Sequence, residues 1–341
     1  MRIQELYRQG DALYREDGHV VVRGKINTLV GVFDTTDEVY SGKPKEFLTS
    51  ESDFTELTSG GGSLALALVG EMRRINPDGL NKPSELNGLI AHLNQIAGET
   101  NRKNYPEVPI ENPELYAGSC GGLALITPRR TYLKTVGSTF ITWMDSTGRI
   151  HVTPDGLAEH DRVMYGIIEI YNNILARELF REQAKNLKLS PAEKIAFLQK
   201  TAKDLTPEEQ RQVRGLLWKP ENFGGFLPGA RNIAINNKDY SRGYGMFNGR
   251  PGVMDLIFSR SIPTDDIEKL AIFPGGPIPD WNREGNRPHK QVKRFWRDYE
   301  NAGGEKAGLE AVFDIAEQIE EATAYKVHAR HMEKTAVVIE F

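Results

Sequence analysis

The sequence predicts an α+β protein organised as one domain. Three observations carry that reading: strand-period apolar runs at both ends and in the middle of the chain, helix-period blocks between them, and no compositional break marking tandem modules. Strands far apart in sequence must then pair in shared sheets. At 341 residues the chain can bury a substantial core. With 39% hydrophobic and 26% charged residues, its balance is that of a globular protein rather than a disordered one.

Residues 19–23 and 28–33 are short apolar runs flanking Gly24-Lys25-Ile26-Asn27; they predict a hairpin whose second strand runs into Asp34. Three glycines, Gly60 to Gly62, lead into Ser63-Leu64-Ala65-Leu66-Ala67-Leu68 and on to Met72, which reads as a buried helix. A second helix starts near Ser84 and gathers Leu86, Leu89, Ile90, Leu93 and Ile96 on one face. From Ser119 the period becomes that of strands: 123–127, 132–136, 140–144 and 149–153, separated by turn clusters, predict an antiparallel meander.

A helical segment at about 157–218 follows, marked by two capping boxes, Ser190-Pro191-Ala192-Glu193 and Thr206-Pro207-Glu208-Glu209. Residues 219–252 are rich in glycine, asparagine and aromatics without a period, and read as a loop near a site or a long connection. A short strand at 269–273, helices near 289–299 and 309–322, and a last strand at 335–341 complete the order. The sequence contains no internal repeat.

Charge and composition remove several function classes. The 43 Lys and Arg against 47 Asp and Glu leave a net charge of -4, so no chain-wide field draws the protein to nucleic acid or an anionic membrane. Cys120 is the single cysteine, which excludes an intramolecular disulfide and a multi-thiolate zinc site. The first ten residues lack a cleavable signal pattern, and no apolar run reaches the ~20 residues a membrane helix needs. The expectation is a cytoplasmic protein with no membrane and no nucleic-acid partner.

Several local features invite chemistry. Gly60 to Gly62 before a helix lacks the lysine and spacing of a phosphate-binding P-loop, which argues against a nucleoside triphosphatase of that type. Cys120 in Gly118-Ser119-Cys120-Gly121-Gly122 is either the nucleophile of a thiol hydrolase or a small buried thiol, and its apolar strand favours the second. His328 and His331 have a spacing that permits a shared metal. Lys290, Lys293, Arg294 and Arg297 with Phe295 and Trp296 form either a basic aromatic patch or a solvated helix face with an apolar stripe, and the stripe is the simpler account. Taken alone, Asp34 at a strand end and Asp17 beside Gly18 are ordinary turn residues.

Their order along the chain says more. Glu16-Asp17 precedes the first hairpin strand, and Val32-Phe33-Asp34 ends the second. Then come Lys134-Thr135-Val136-Gly137-Ser138, Tyr244-Gly245-Met246-Phe247-Asn248-Gly249, Leu270-Ala271-Ile272-Phe273-Pro274-Gly275-Gly276 and Thr335-Ala336-Val337-Val338-Ile339-Glu340-Phe341. This series resembles the metal-dependent serine/threonine protein phosphatases of the type 2C family, its bacterial members in particular, across nearly the whole chain. The resemblance implies an α+β fold, a four-layer α-β-β-α sandwich of two antiparallel sheets flanked by helices, spanning residues 1–341 as one domain. It also implies two magnesium or manganese ions held by carboxylates at the sheet ends, activating a water that attacks a phosphoserine or phosphothreonine.

Carried over by position, the resemblance assigns metal-ligand roles to Glu16, Asp17 and Asp34, and to the backbone carbonyl of Thr35. The later half of the pattern departs. Gly137-Ser138 stands where the family has Gly-Asp, and Pro274-Gly275-Gly276 stands where it has Thr-Asp-Gly. The final acidic pair falls at Met332-Glu333, leaving Glu333 as a displaced carboxylate. Two neighbouring divalent cations repel and need several anionic oxygens, so magnesium or manganese binding is expected to be weakened. Three functions follow from that deficit: a pseudophosphatase that binds a phosphoprotein or regulatory partner, a weak or one-metal phosphatase, and an active enzyme whose missing ligands come from Asp265, Asp266 or Asp280.

Overall fold

A computed structural model of the chain describes residues 1–9, 17–36, 60–104, 106, 118–137, 139–153, 180–181, 183–185, 187, 189–199, 206, 247–249, 257–279, 288–323 and 333–341. Its strands are β1 (Arg2–Arg8), β2 (Asp17–Arg23), β3 (Thr28–Thr36), β4 (Gly118–Ile126), β5 (Arg130–Val136), β6 (Phe140–Asp145), β7 (Ile150–Thr153), β8 (Ile257–Pro263), β9 (Ile267–Phe273) and β10 (Lys334–Glu340). The helices are α1 (Gly60–Met72), α2 (Pro83–Asn104), α3 (Pro191–Leu198), α4 (Pro288–Asn301) and α5 (Glu305–Thr323). Among the described residues the strands make two five-stranded antiparallel sheets, ordered β1-β10-β9-β6-β7 and β2-β3-β4-β5-β8.

Alternation along each strand builds the layers. Leu29 and Phe33 of β3 with Leu123 and Leu125 of β4 meet Leu64, Leu68 and Met72 of α1 and Leu86, Ile90 and Leu93 of α2. The intervening residues Val30, Val32 and Ala124 turn the other way, onto Ile141, Leu270, Ile272, Val337 and Ile339 of the opposite sheet. Ala336 and Val338 of β10 and Phe273 of β9 then face Phe295, Trp296 and Tyr299 of α4 and Leu309 and Phe313 of α5. Helices, sheet, sheet, helices: the four-layer α+β sandwich is present. Phe295 and Trp296 belong to its core, so the cations of α4 are the solvated side of an amphipathic helix.

The chain forms two compact units. Both sheets with α1, α2, α4 and α5 belong to the unit made of Met1–Ser41, Glu56–Ala158 and Tyr244–Phe341. The other, Gly42–Thr55 and Glu159–Gly243, contains α3 and an edge-on contact of Phe180 with Phe197. The Ser190 capping box is formed: the Ser190 amide donates to the Glu193 carboxylate at 2.8 Å, and the Glu193 amide donates to Ser190 Oγ at 3.4 Å. The second box lies outside the described residues apart from Thr206, as does most of 219–252. Among the described residues, no helix is long and apolar enough to cross a membrane.

Three expectations need correction. The four middle strands are not one meander, because β4 and β5 lie in one sheet while β6 and β7 lie in the other. The chain changes sheet just after Gly137, whose φ of 74° lies in the left-handed region glycine tolerates. Strand period tells which residues alternate, not which sheet receives them. The helix at α1 is not buried all round: Leu66 is 70% exposed, since only one side faces the sheet. Strands β1 and β8 have no counterpart in the expected order; each lies at a sheet edge, where polar residues dilute the apolar period.

Two close approaches hold this architecture. A Cβ on Gly122 would lie 2.7 Å from Ile272 Cγ2 and 2.9 Å from Thr139 Cγ2, so the missing side chain lets the sheets meet there. At the β2–β3 turn, Asp78 accepts the backbone amides of Lys25, Ile26 and Asn27 at 2.7, 2.9 and 2.9 Å. Those bonds, that of Asn27 foremost, hold its carboxyl below the ordinary aspartate range.

The fold should respond accordingly. Gly122→Val is expected to lower unfolding stability by about 1–3 kcal/mol through overpacking between the sheets, measured by urea titration; an unchanged midpoint contradicts the close approach. A carboxyl whose folded pKa is depressed contributes stability above its unfolded value, and this is lost as pH falls through the folded one. Thermal melts of Asp78→Asn should therefore show a smaller loss of stability than the parent on acidification below the ordinary aspartate value of 3.8. Parallel melting curves for the two proteins would remove the turn anchor from the account.

Candidate functional site

The same alternation gathers acids at one end of the space between the sheets. In β3, Val30 and Val32 face the opposite sheet, which puts Asp34 on that face at the strand's end. Asp17 opens β2 and is the cross-strand partner of Asp34, while Asp34 in turn pairs with Cys120 of β4. From the other sheet, Val337 and Ile339 of β10 and Ile3 of β1 share the inward face, which carries Thr335 and Glu333 on one strand and Glu5 and Tyr7 on the next. Asp17, at 3% exposure, and Glu333, at 9%, are buried, and Asp34 is half-buried.

Glu333 ties this end together. One of its oxygens accepts Tyr7 Oη at 3.0 Å and Gln9 Nε2 at 2.9 Å, and the other accepts the Asp17 amide at 2.7 Å. Carboxylates accepting several donors are held firmly in orientation. Beside them His19 Nε2 lies 3.4 Å from Glu5 Oε2. Burial pushes the Glu5 carboxyl up, against the opposing pull of Arg23 and Arg73. The hydroxyls of Thr135, Thr139 and Thr335 are buried without a hydrogen-bond partner among the described residues.

Thr35 is buried on the other face of β3, and the Asp34 carbonyl next to it accepts Ser119 Oγ at 3.3 Å. Cys120 is a buried free thiol inside β4, as the apolar context implied. Phe247, bridged to Ser119 by a 2.8 Å and a 3.1 Å backbone bond, sits edge-on to Phe33 at 5.9 Å. The amides of Asn248 and Gly249 donate to Asn94 Oδ1 at 3.2 and 3.1 Å. That stretch of the glycine- and aromatic-rich segment anchors β4 to α2.

Gly275 and Gly276 follow β9 at the same end. A Cβ on Gly276 would lie 2.0 Å from the Glu333 carbonyl oxygen, so backbone packs on backbone there, and Gly275 beside it stands where the resemblance implies an aspartate. Of the offered substitutes, Asp265 and Asp266 do not reach this end. They sit in a 3-10 turn (Thr264–Asp266) beyond Pro263, which pairs with Arg130, whereas the acids lie at the Val136 end of β5. A seven-residue strand separates the two ends, about 20 Å. Glu16, Ser138, Asp280, His328, His331 and Met332 lie outside the described residues.

No protein-family model and no curated protein matches the chain. Among solved structures it is similar to a serine/threonine phosphatase from Staphylococcus aureus, at 11% identity over 100% of this chain and 94% of that one, with a TM-score of 0.45. A serine/threonine phosphatase from S. agalactiae matches at 10% identity over 100% and 99% of the two chains, with a TM-score of 0.43. One from Mycobacterium tuberculosis matches at 10% identity over 100% and 98%, with a TM-score of 0.47. At such scores the architecture is argued from the strand order alone.

A dinuclear magnesium or manganese centre does not fit the described donors. Among them, no three His, Cys, Asp or Glu side chains converge closely enough to hold a metal ion. Asp17 and Asp34 pair across strands, but Glu333 is engaged by Tyr7, Gln9 and the Asp17 amide. Hard divalent cations take six or more oxygens, and pairs of them need bridging anions.

Sequence reading named Asp17, Asp34 and Glu333, which lie at this end, and did not single out Glu5, Tyr7, Gln9, His19 or the three threonines. Ile3, Glu5 and Tyr7 alternate as a strand does, and that was the available signal. Removing the Glu333 carboxylate leaves the buried Asp17 amide without its acceptor. Glu333→Ala is expected to cost about 1–3 kcal/mol in a urea unfolding titration. A midpoint equal to the parent's would show that Glu333 ties nothing together.

Proposed function

We propose that this chain is a type 2C phosphatase-like protein with a reduced acid set, working as a pseudophosphatase that binds a phosphoprotein or regulatory protein. The observation that supports it is Gly275, a residue without a side chain at the place of the bridging aspartate in the series of motifs, next to the backbone contact of Gly276 with Glu333. Around that contact remain the cross-strand pair Asp17 and Asp34, and Glu333, which accepts from Tyr7, Gln9 and the Asp17 amide. In-line attack of water on a phosphoryl group needs positive charge on the phosphoryl oxygens. The described residues at this end are mainly acids and hydroxyls, with His19 held beside Glu5. Two carboxylates side by side repel a phosphate dianion, which disfavours turnover.

The alternative is an active metal-dependent phosphoserine and phosphothreonine phosphatase. It draws on the same retained pair, since Asp17 and Asp34 face each other at the sheet end from which such chemistry would start.

The two readings separate in one assay. Phosphate release from a phosphothreonine peptide is measured with and without manganese, for the parent and for Asp34→Ala. The pseudophosphatase reading expects no manganese-dependent release above the protein-free rate in either protein. Manganese-dependent turnover that Asp34→Ala abolishes would overturn it in favour of the enzyme.

A further inference from the structure

The outer edge of β8 carries a surface unrelated to the acids. β8 closes the sheet β2-β3-β4-β5-β8 and pairs with β5 on one side; among the described residues nothing pairs with its other side. An unpaired strand edge presents a row of free backbone donors and acceptors. The edge is open to solvent: Phe258 is 41% exposed, and Ser259, Arg260 and Ser261 are exposed as well.

The β5–β8 ribbon is wholly basic. It carries Arg130, Lys134 and Arg260 and not one Asp or Glu, in a chain whose net charge is -4. The acids nearest in sequence are Asp255, which precedes β8 and lies outside the described residues, and Asp265 and Asp266, past Pro263 in the turn to β9. Its cations are met by hydroxyls instead. Lys134, only 5% exposed, donates from Nζ to Ser259 Oγ at 2.7 Å, its one hydrogen-bond partner among the described residues. Arg130 donates to Ser261 Oγ at 2.8 Å and to the Ser261 carbonyl at 3.1 Å. Burial pushes the Lys134 ammonium below its ordinary range.

We propose that the outer edge of β8 is a docking strand for an acidic segment of a partner protein, bound in extended form as a further antiparallel strand of this sheet. Backbone bonds to the free edge supply the binding, and acidic side chains on the face that carries the exposed Arg260 supply selectivity. A second copy of the chain is a poor occupant. Arg260 is the central residue of Ile257–Pro263, so a symmetric antiparallel pair of β8 strands sets Arg260 against itself, and like charges directly opposite are destabilising. Nucleic acid would meet the cations but leave the edge carbonyls unpaired, and the chain's net negative charge opposes it. The proposal stands whether or not Asp17 and Asp34 bind metal.

The test is fluorescence anisotropy of the full chain with a labelled seven-residue peptide alternating glutamate and valine. Its comparators are the same peptide with glutamine for glutamate, a version N-methylated at alternate backbone amides, and a labelled single-stranded DNA. Saturable binding of the glutamate peptide is expected, weakened about tenfold by Arg260→Glu and by the glutamine replacement, and lost on N-methylation. Arg260 is exposed, so circular dichroism of Arg260→Glu should match the parent. Absence of binding, equal binding of the N-methylated peptide, or DNA binding as tight as that of the peptide would each overturn the proposal. Because no phosphate or manganese enters this assay, its failure is distinct from failure of the pseudophosphatase reading.

Discussion

Everything in the sandwich depends on two sheets lying face to face with one layer of side chains from each between them. That spacing, about 10 Å in packed sheets, is set by Val30, Val32 and Ala124 on one side and Ile141, Ile272 and Val337 on the other. It narrows at Gly122, which has no side chain to hold Ile272 and Thr139 away. Because successive residues alternate faces, whatever follows the apolar stretch of a strand is delivered into the same gap. Asp34 after Val32 and Glu333 before Thr335 therefore arrive between the sheets for the same reason that the core does. The acid end is the continuation of the hydrophobic layer beyond its last apolar residues.

How much of this was legible follows from the same periodicity. The β2–β3 hairpin, α2, α4, α5 and β10 announced themselves, since a buried face of valines or a repeating leucine stripe leaves a pattern in one dimension. The edge strands β1 and β8 did not. In β1 only alternate residues are inward, and those include Glu5 and Tyr7, so its apolar signal is too thin to stand out. Assignment of β6 to the sheet opposite β5 was equally hidden, because it depends on the turn at Gly137 rather than on the content of either strand. For the site, the carboxylates could be placed by motif order, whereas the donors around Glu333 could not. Tyr7 and Gln9 lie 326 and 324 residues from Glu333 and meet it through the β1–β10 pairing. No local pattern encodes a contact of that span.

The acids also explain themselves without invoking catalysis. Glu333 accepts from two side chains of the first strand's end and from the amide that opens β2. It thereby joins three chain segments that enter the site end from different directions. A carboxylate so engaged is a structural clasp, and a clasp is a sufficient reason for an acid to remain at a position where a metal centre would need several more. Asp17 and Asp34 are brought side by side by the pairing of β2 with β3.

Register in β10 is held by opposite charges on opposite faces. Glu333 turns inward to Tyr7, Gln9 and the Asp17 amide, and its neighbour Lys334 turns outward to Glu320 of α5, at 2.8 Å in a buried pair. A slip of one residue would send the lysine into the gap between the sheets and bring two glutamates together against α5. Breaking one side of a buried ion pair typically costs about 3–5 kcal/mol, more than a surface strand gains from any single apolar contact. The slipped arrangement would also turn Val337 and Ile339 out of the inter-sheet layer and into the helix-facing one. Core and site therefore select the same register from independent interactions. That agreement keeps the C-terminal strand fixed between β1 and β9 although its own N-terminal residues are charged.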